Sequence, residues 1–120
     1  MYYHIIGVDI GTTHVKALVA TTVGEVLYET KEGYPTSNPF PGHQEQNAGD
    51  IFQAVLMVLR MAISTVADKQ SISCIAFSAA MHSLMAVDKE GKPLTALMTW
   101  ADTRSNKYAL QIKNTTQGDI

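Results

Sequence analysis

An acid, a glycine and two threonines lie between two apolar runs near the start of the chain. The stretch is GVDIGTTHVKALV, which contains Asp9, Gly11, Thr12 and Thr13. Glycine lets a ligand approach the backbone closely, and successive amides in such a turn form an anion-binding concavity. A carboxylate beside phosphate is explained if a divalent cation lies between them, and Lys16 adds a positive charge nearby. Asp, Gly and Thr are also common in ordinary hairpins, which spacing alone favours slightly.

Three predicted strands must position this bend. Tyr3–Asp9, Val15–Thr21 and Val26–Glu32 are rich in β-branched and apolar residues and are joined by short turns. Such short connections predict an antiparallel meander. The following stretch, residues 33–50, contains three prolines and is predicted to be a loop, long enough to be functional.

A helix is predicted after this loop, followed by a strand. Asp50 is the expected N-cap, with Gln53 three residues on as in a capping box. One apolar face follows at helical spacing, formed by Ile51, Val55, Val58, Leu59, Ala62 and Val66. Ile72–Ser78 is predicted to be a buried strand with Cys74, the sole cysteine, as a small core residue. The order strand, strand, strand, helix, strand predicts an α/β fold with a mixed sheet.

The remaining segments are predicted to be short and irregular. Leu84–Asp88 and Thr95–Trp100 are expected to form strands on either side of a turn, and Arg104–Lys113 is weakly helical. Asp88 lies before that turn and is not expected to act as a catalytic base.

Composition limits the classes of function. Hydrophobic residues make up 46% and charged residues 17% of 120 residues, which is typical of a globular protein. The formal charge of −2 without a basic block argues against nucleic acid and anionic membranes as partners. The sequence shows no signal peptide and no apolar stretch near the roughly 18 residues of a membrane span, so we expect a cytoplasmic protein.

Two later stretches, together with the first, resemble the FGGY carbohydrate kinases. They are PGHQEQNAGDIF and FSAAMHSLMAVDKEGKPLTALMTWADTRS. The stretch GVDIGTTHVKALV is similar to the phosphate motif of the wider sugar kinase, heat-shock protein 70 and actin superfamily. The resemblance implies an actin-like ATPase fold with a ribonuclease-H-like core, of which residues 1–120 would be the first, partial domain.

Within this family, the chain is most similar to gluconate kinases, which carry a comparable AAMHS…TWAD.RS pattern. Xylulose kinases usually have a Gly-Gln pair where Ala79 and Ala80 stand here. The resemblance therefore implies ATP-dependent phosphorylation of gluconate to 6-phosphogluconate, with Mg²⁺. Two alternatives stay open: a kinase for xylulose or another sugar, and a non-catalytic actin-like module that binds a nucleotide.

The same resemblance assigns roles around the bend. The turn Gly11–Thr13 would face the ATP phosphates, and Asp9 would lie near Mg²⁺, directly or through water. Lys16 occupies the place of a basic residue near the transferred phosphate. His14 stands where the family usually has serine and would also face the phosphates; the alternative is a surface histidine on the second strand.

The resemblance also assigns a sugar site. Met81 would lie against the carbon face of the sugar and His82 would bond its hydroxyls; ordinary packing is the alternative. Trp100 could stack on the sugar. Asp102 could accept hydroxyl hydrogen bonds or pair with Arg104 and fix the loop, and these interpretations have equal weight. For Arg104, a surface salt bridge is favoured over binding a substrate carboxylate, and no residue is assigned to that carboxylate.

The family's base is an aspartate expected beyond Ile120, so we expect the isolated chain to be inactive. A partial domain should expose apolar surface, which could drive self-association of the fragment, and a homodimer stays open for the parent enzyme.

Overall fold

The chain folds into a mixed sheet with a long helix on one face. A computed structural model describes residues 3–115. In chain order, the elements are β1 (His4–Ile10), β2 (His14–Thr21), β3 (Val26–Gly33), β4 (Glu45–Gln46), α1 (Ala48–Thr65), a short 3-10 helix (Lys69–Ser71), β5 (Ile72–Ala79), β6 (Leu97–Met98) and α2 (Asn106–Lys113).

The main sheet has the strand order β3-β2-β1-β5. The pairs β1–β2 and β2–β3 are antiparallel, whereas β5 lies parallel to β1. A parallel neighbour requires a crossover, and α1 provides it. The predicted meander, helix and strand are thus confirmed. The register places Asp9 opposite Lys16 on β2 and opposite Ser78 on β5.

The core lies between α1 and one face of the sheet. Alternate residues of β1 and β2 point toward the helix, as the period of two in a strand requires. The buried apolar side chains on these elements are Ile6, Val8, Val15, Ala17, Val19, Ala54, Val55, Val58 and Ala62. We call the opposite face the open face; it carries Gly7, Asp9, Lys16, Leu18 and Ala76.

The helix begins earlier than the sequence suggested. Asn47 is the N-cap, and its side chain accepts hydrogen bonds from the amides of Gly49 and Asp50. The predicted cap at Asp50 is therefore wrong. Asn and Asp are equally good caps, so residue type could not separate them. Asp50 lies in the first turn, where a carboxylate interacts favourably with the helix dipole.

The strand β5 was expected to be buried, and this prediction is wrong for the described residues. From Ser73 to Ala79 its side chains are exposed, including Cys74. The reason is position: β5 is an edge strand, and α1 packs on β1, β2 and β3 without extensive contact to it. An apolar run indicates burial only if another element covers it.

The segment after β5 contains less strand than predicted. Leu84–Asp88 forms isolated bridges at Leu84 and Val87, and Thr95–Trp100 shortens to β6. Val87 faces Pro93, which lacks an amide to continue the ladder. β6 pairs instead with β4, inside the region predicted to be a loop. The weakly helical segment becomes α2, which begins after Arg104.

The helix α1 also corrects the expectation about membrane spans. Its 18 residues have a mean hydropathy of 1.3, so by length and composition alone the helix could cross a membrane. Core helices of globular proteins meet the same criterion. Here the apolar face of α1 is occupied by the sheet, with Val58 and Ala62 fully buried.

Candidate active site

The bend between β1 and β2 is a tight turn that requires glycine. The amide of Gly11 donates to the carbonyl of His14 at 3.1 Å. A Cβ atom on Gly11 would lie 2.9 Å from that same carbonyl oxygen, which is too close for any other residue without a shift. In the described part of the chain, the amides of Thr12 and Thr13 have no hydrogen-bond acceptor. Two neighbouring amides without partners fit the predicted anion-binding turn.

The carbonyls of this turn are held by two side chains that sequence reasoning did not assign to it. The hydroxyl of Tyr34 donates to the carbonyl of Gly11. The side-chain amide of Gln46 donates through Nε2 to the carbonyl of Thr12 at 2.5 Å. Burial, and then the nearby charge of Asp9, raise the pKa of Tyr34. The hydroxyl therefore stays protonated and remains a donor at neutral pH. Both residues lie in the predicted loop region, and no local pattern connects them with the turn.

Asp9 and Lys16 lie side by side on the open face. They are opposite each other in the β1–β2 register and both are exposed. With Ser78 they line a concavity of about 710 Å³. The ion pairs found within residues 3–115 include neither of them. Both charges are thus available to a ligand.

The described residues contain no cluster of three or more side chains that could hold a metal. Mg²⁺ commonly takes one or two carboxylates, and phosphate oxygens and water complete its coordination. A single exposed carboxylate at Asp9, beside two unpaired amides, fits that way of binding.

His14 is engaged with its neighbour. It is the first residue of β2, and its ring nitrogen Nδ1 lies 2.6 Å from the hydroxyl of Thr13. In this arrangement the two side chains bond each other. Contact of His14 with a phosphate stays a prediction.

The segment that follows β5 lies next to the turn. The amide of Ala80 donates to the carbonyl of Ile10 at 2.9 Å, so Met81 and His82 follow directly beside the end of β1. Met81 is exposed, and His82 has a φ of 63°, in the left-handed region that non-glycine residues rarely adopt. Such conformations are concentrated at functional sites. The structure therefore brings the predicted phosphate and sugar segments together.

Trp100 connects these two parts directly. Its indole N–H donates to the hydroxyl of Thr12 at 3.0 Å, while 61% of the residue remains exposed. One edge of the ring is thus tied to the turn, and much of its surface can contact a ligand. The position suits the predicted stacking on a sugar.

Asp102 and Arg104 form a clamp between two loops. The carboxylate of Asp102 accepts from the amide of Gln44 at 2.9 Å and from the Arg104 side chain. Arg104 Nη2 also lies 2.8 Å from Glu45 Oε1. The Arg104 side chain, followed by the Gln44 amide, holds the pKa of Asp102 well below its usual range.

In this clamp Asp102 pairs with Arg104 and fixes the loop, which is the second of the two interpretations given to Asp102. Its side chain is only 7% exposed, so little of the carboxylate is open to a sugar. Acceptance of a hydroxyl hydrogen bond by Asp102 stays a prediction. The salt bridge favoured for Arg104 is present, and it engages the guanidinium that a substrate carboxylate would need.

Comparison with known proteins identifies the family. The N-terminal domain model of the FGGY family of carbohydrate kinases matches residues 4–119. The chain belongs to the FGGY family of carbohydrate kinases. Its mixed sheet and helix are those of the actin-like N-terminal domain of these kinases, as the resemblance implied.

Three FGGY relatives show how far the similarity extends. Gluconokinase of Bacillus subtilis (strain 168) is 42% identical over 98% of this chain and 23% of its own length. Xylulose kinase of Staphylococcus xylosus is 32% identical over 92% of this chain and 23% of its own length. The crystal structure of gluconate kinase from Lactobacillus acidophilus superposes with a TM-score of 0.91 at 28% identity, covering 99% of this chain and 24% of that one. The chain thus spans about a quarter of these relatives.

Proposed function

We propose that this chain is the N-terminal part of an enzyme that transfers the γ-phosphoryl group of ATP to gluconate and forms 6-phosphogluconate. One observation carries the proposal: the turn with unpaired amides at Thr12 and Thr13 lies beside the exposed segment Met81–His82, and Trp100 contacts the turn. This proximity supports a phosphate site and a sugar site side by side at one end of the sheet. In direct phosphoryl transfer the protein contributes mainly by positioning the reactants and stabilising charge, so this proximity is the main structural requirement.

On the nucleotide side, the amides of Thr12 and Thr13 would bind phosphate oxygens, with Gly11 allowing the approach. Asp9 would hold Mg²⁺, directly or through water, and the ion would neutralise charge on the phosphates. Lys16, on the same face, would stabilise negative charge on the transferred group. His14 would contribute once a phosphate competes with Thr13 for its ring.

On the sugar side, His82 would bond hydroxyl groups and Met81 would supply apolar surface. Trp100 would pack against the carbon face of the sugar. The base that accepts the hydroxyl proton is proposed to be an aspartate beyond Ile120. Closure of a second domain would exclude water from the reacting atoms. An ATP- and Mg²⁺-dependent cytoplasmic kinase is the resulting proposal for the complete protein.

Gluconate is proposed over xylulose on two grounds. The gluconokinase relative is 42% identical and the xylulose kinase relative 32% identical over similar lengths. In addition, Ala79 and Ala80 stand where xylulose kinases usually carry a Gly-Gln pair. Xylulose remains the second candidate, because a relative that bears that name covers 92% of this chain.

The test is a substrate comparison in the complete enzyme. ADP release would be measured with gluconate, xylulose and glycerol, at saturating ATP and Mg²⁺, for wild type and for Asp9→Asn and Asp50→Asn. We expect the highest kcat/KM with gluconate and a loss of about 100-fold or more in kcat for Asp9→Asn. Asp50→Asn, an exposed substitution on α1, should behave as wild type.

Three outcomes would change the proposal. A higher kcat/KM with xylulose would replace the substrate and keep the reaction. Nucleotide binding without transfer to any sugar would favour the non-catalytic module. Full activity of Asp9→Asn would remove Asp9 from the site.

A further inference from the structure

The phosphate turn is supported from behind by two buried side chains. Tyr34 is 8% and Gln46 is 4% exposed. The Tyr34 hydroxyl donates to the carbonyl of Gly11, and Gln46 Nε2 donates to the carbonyl of Thr12 and to Thr36 Oγ1, at 2.5 and 3.0 Å. Both donors reach the carbonyl side of the turn and leave its amide side open.

Because of peptide geometry, these contacts also fix the direction of the backbone amides of Thr12 and Thr13. A peptide unit is planar and trans, so its carbonyl and its N–H point in opposite directions. The carbonyl of Gly11 shares a plane with the amide of Thr12, and the carbonyl of Thr12 shares a plane with the amide of Thr13. Fixing the two carbonyls therefore fixes the direction of the two amides that have no acceptor in the described chain.

The two side chains are themselves held in place. The amide of Tyr34 donates to the carbonyl of Thr13 at 3.2 Å, which ties the start of the loop to the turn. Gln46 belongs to β4 and pairs with Leu97. Its neighbour Glu45 is bonded to Arg104 at 2.8 Å. The support is thus part of the packed loop region, which holds it in place before a ligand arrives.

We infer that Tyr34 and Gln46 are positioning residues that hold the amides of Thr12 and Thr13 in the direction needed to bind the nucleotide phosphates. The inference rests on the proposed function, because it assumes that a phosphate binds at the turn. Neither side chain would need to contact the ligand, since both bond the carbonyl side of the turn. Each acts through one peptide unit. Backbone amides that are held in the right direction beforehand lower the cost of stabilising charge in the transition state.

The experiment uses two variants that keep the shape of each side chain and remove its donor. Tyr34→Phe loses only the hydroxyl, and Gln46→Met replaces the amide by an apolar group of similar length. The matched controls are Tyr28→Phe and Gln53→Met, whose side chains make no hydrogen bond to the turn. In the complete enzyme we would measure kcat and KM for ATP, the Kd for ADP, the Kd for the sugar and the melting temperature.

Each positioning variant should lower kcat/KM for ATP about fivefold or more, the scale of one lost hydrogen bond, and weaken ADP binding. The Kd for the sugar should stay within about twofold of wild type, and the controls should leave every quantity unchanged. Gln46→Glu would place an acceptor against the carbonyl of Thr12, so its loss should exceed that of Gln46→Met.

Wild-type nucleotide kinetics in both Tyr34→Phe and Gln46→Met would overturn the inference while leaving the proposed function intact. A parallel loss of sugar binding, nucleotide binding and melting temperature would also overturn it, since that pattern indicates a merely structural role. A wild-type enzyme that binds neither ATP nor ADP would overturn the proposed function, and the inference with it.

Discussion

Trp100 donates its indole N–H to the hydroxyl of Thr12 at 3.0 Å, across a separation of 88 residues in sequence. This bond joins the segment proposed for the sugar to the turn proposed for the phosphates. We expect a ligand bound on one side to affect binding on the other through this hydrogen bond.

Trp100→Phe tests that connection, because it keeps an aromatic ring and removes the donor. We expect a fall of about threefold in kcat/KM for ATP, in addition to any change in the KM of the sugar. Thr12→Val removes the same bond from the other side. The loss in the double variant should be smaller than the product of the single losses, since both remove one interaction. If the losses of the two single variants multiply in the double variant, Trp100 contributes to sugar binding alone.

The backbone of His82 allows its conformation and its side chain to be tested separately. Its φ of 63° costs a non-glycine residue about 1 kcal/mol or more. His82→Ala and His82→Gly both remove the ring, and both should weaken sugar binding roughly tenfold while nucleotide affinity is retained. Glycine adopts this φ without penalty, so His82→Gly should melt at a higher temperature than His82→Ala. Sugar affinity that survives in both variants would exclude His82 from the site.

Gly11 offers a steric test with a matched control. A Cβ at Gly11 would meet the carbonyl of His14 at 2.9 Å, whereas a Cβ at Gly33 would lie 3.7 Å from the carbonyl of Thr13, an ordinary contact. Gly11→Ala should displace the turn and lower kcat/KM for ATP between about tenfold and about 100-fold. Gly33→Ala should be close to wild type. Equal activity of the two variants would contradict the geometry assigned to the turn.

The clamp at Asp102 predicts a pH dependence of stability. Its pKa is lowered in the folded protein, mainly by the Arg104 side chain, so the stabilisation is present above the ordinary pKa of about 4 and is lost as the pH falls through the lowered value. Asp102→Asn should therefore melt below wild type at pH 7, and the difference should shrink below about pH 4. Melting curves from pH 7 to pH 3 provide the measurement.

Arg104→Gln supplies the reciprocal variant. In that background, Asp102→Asn should change the melting temperature at pH 7 less than it does in the wild type, because the partner is already absent. A difference that grows on acidification would contradict the sign.

The sequence predicted the main sheet well because its signals are local. Apolar runs and short turns define β1, β2 and β3, and the apolar stripe defines α1. The turn at Gly11 was recognised for the same reason, since its residues are neighbours in the chain. The N-cap of α1 was placed wrongly because Asn47 and Asp50 are both good capping residues within one turn of helix.

The support of the turn could not be predicted because it depends on residues far apart in sequence. Tyr34 and Gln46 meet the turn only after β3 and β4 have been placed, and a tyrosine or glutamine in a proline-rich segment has no specific signal. The burial of Ile72–Ser78 was overestimated for a related reason. Hydrophobicity shows what a strand can bury, and its position in the sheet determines what it does bury.

The two edges of the main sheet differ in a way that gives the sheet a direction of growth. The β3 edge carries Glu29, Lys31 and Glu32, and charged side chains discourage another strand from pairing. The β5 edge has the sequence ISCIAFSA without a charge, and Phe77 on it is 59% exposed. A strand that extends this sheet, whether from the same polypeptide during synthesis or from another molecule, should therefore add beside β5 rather than beside β3.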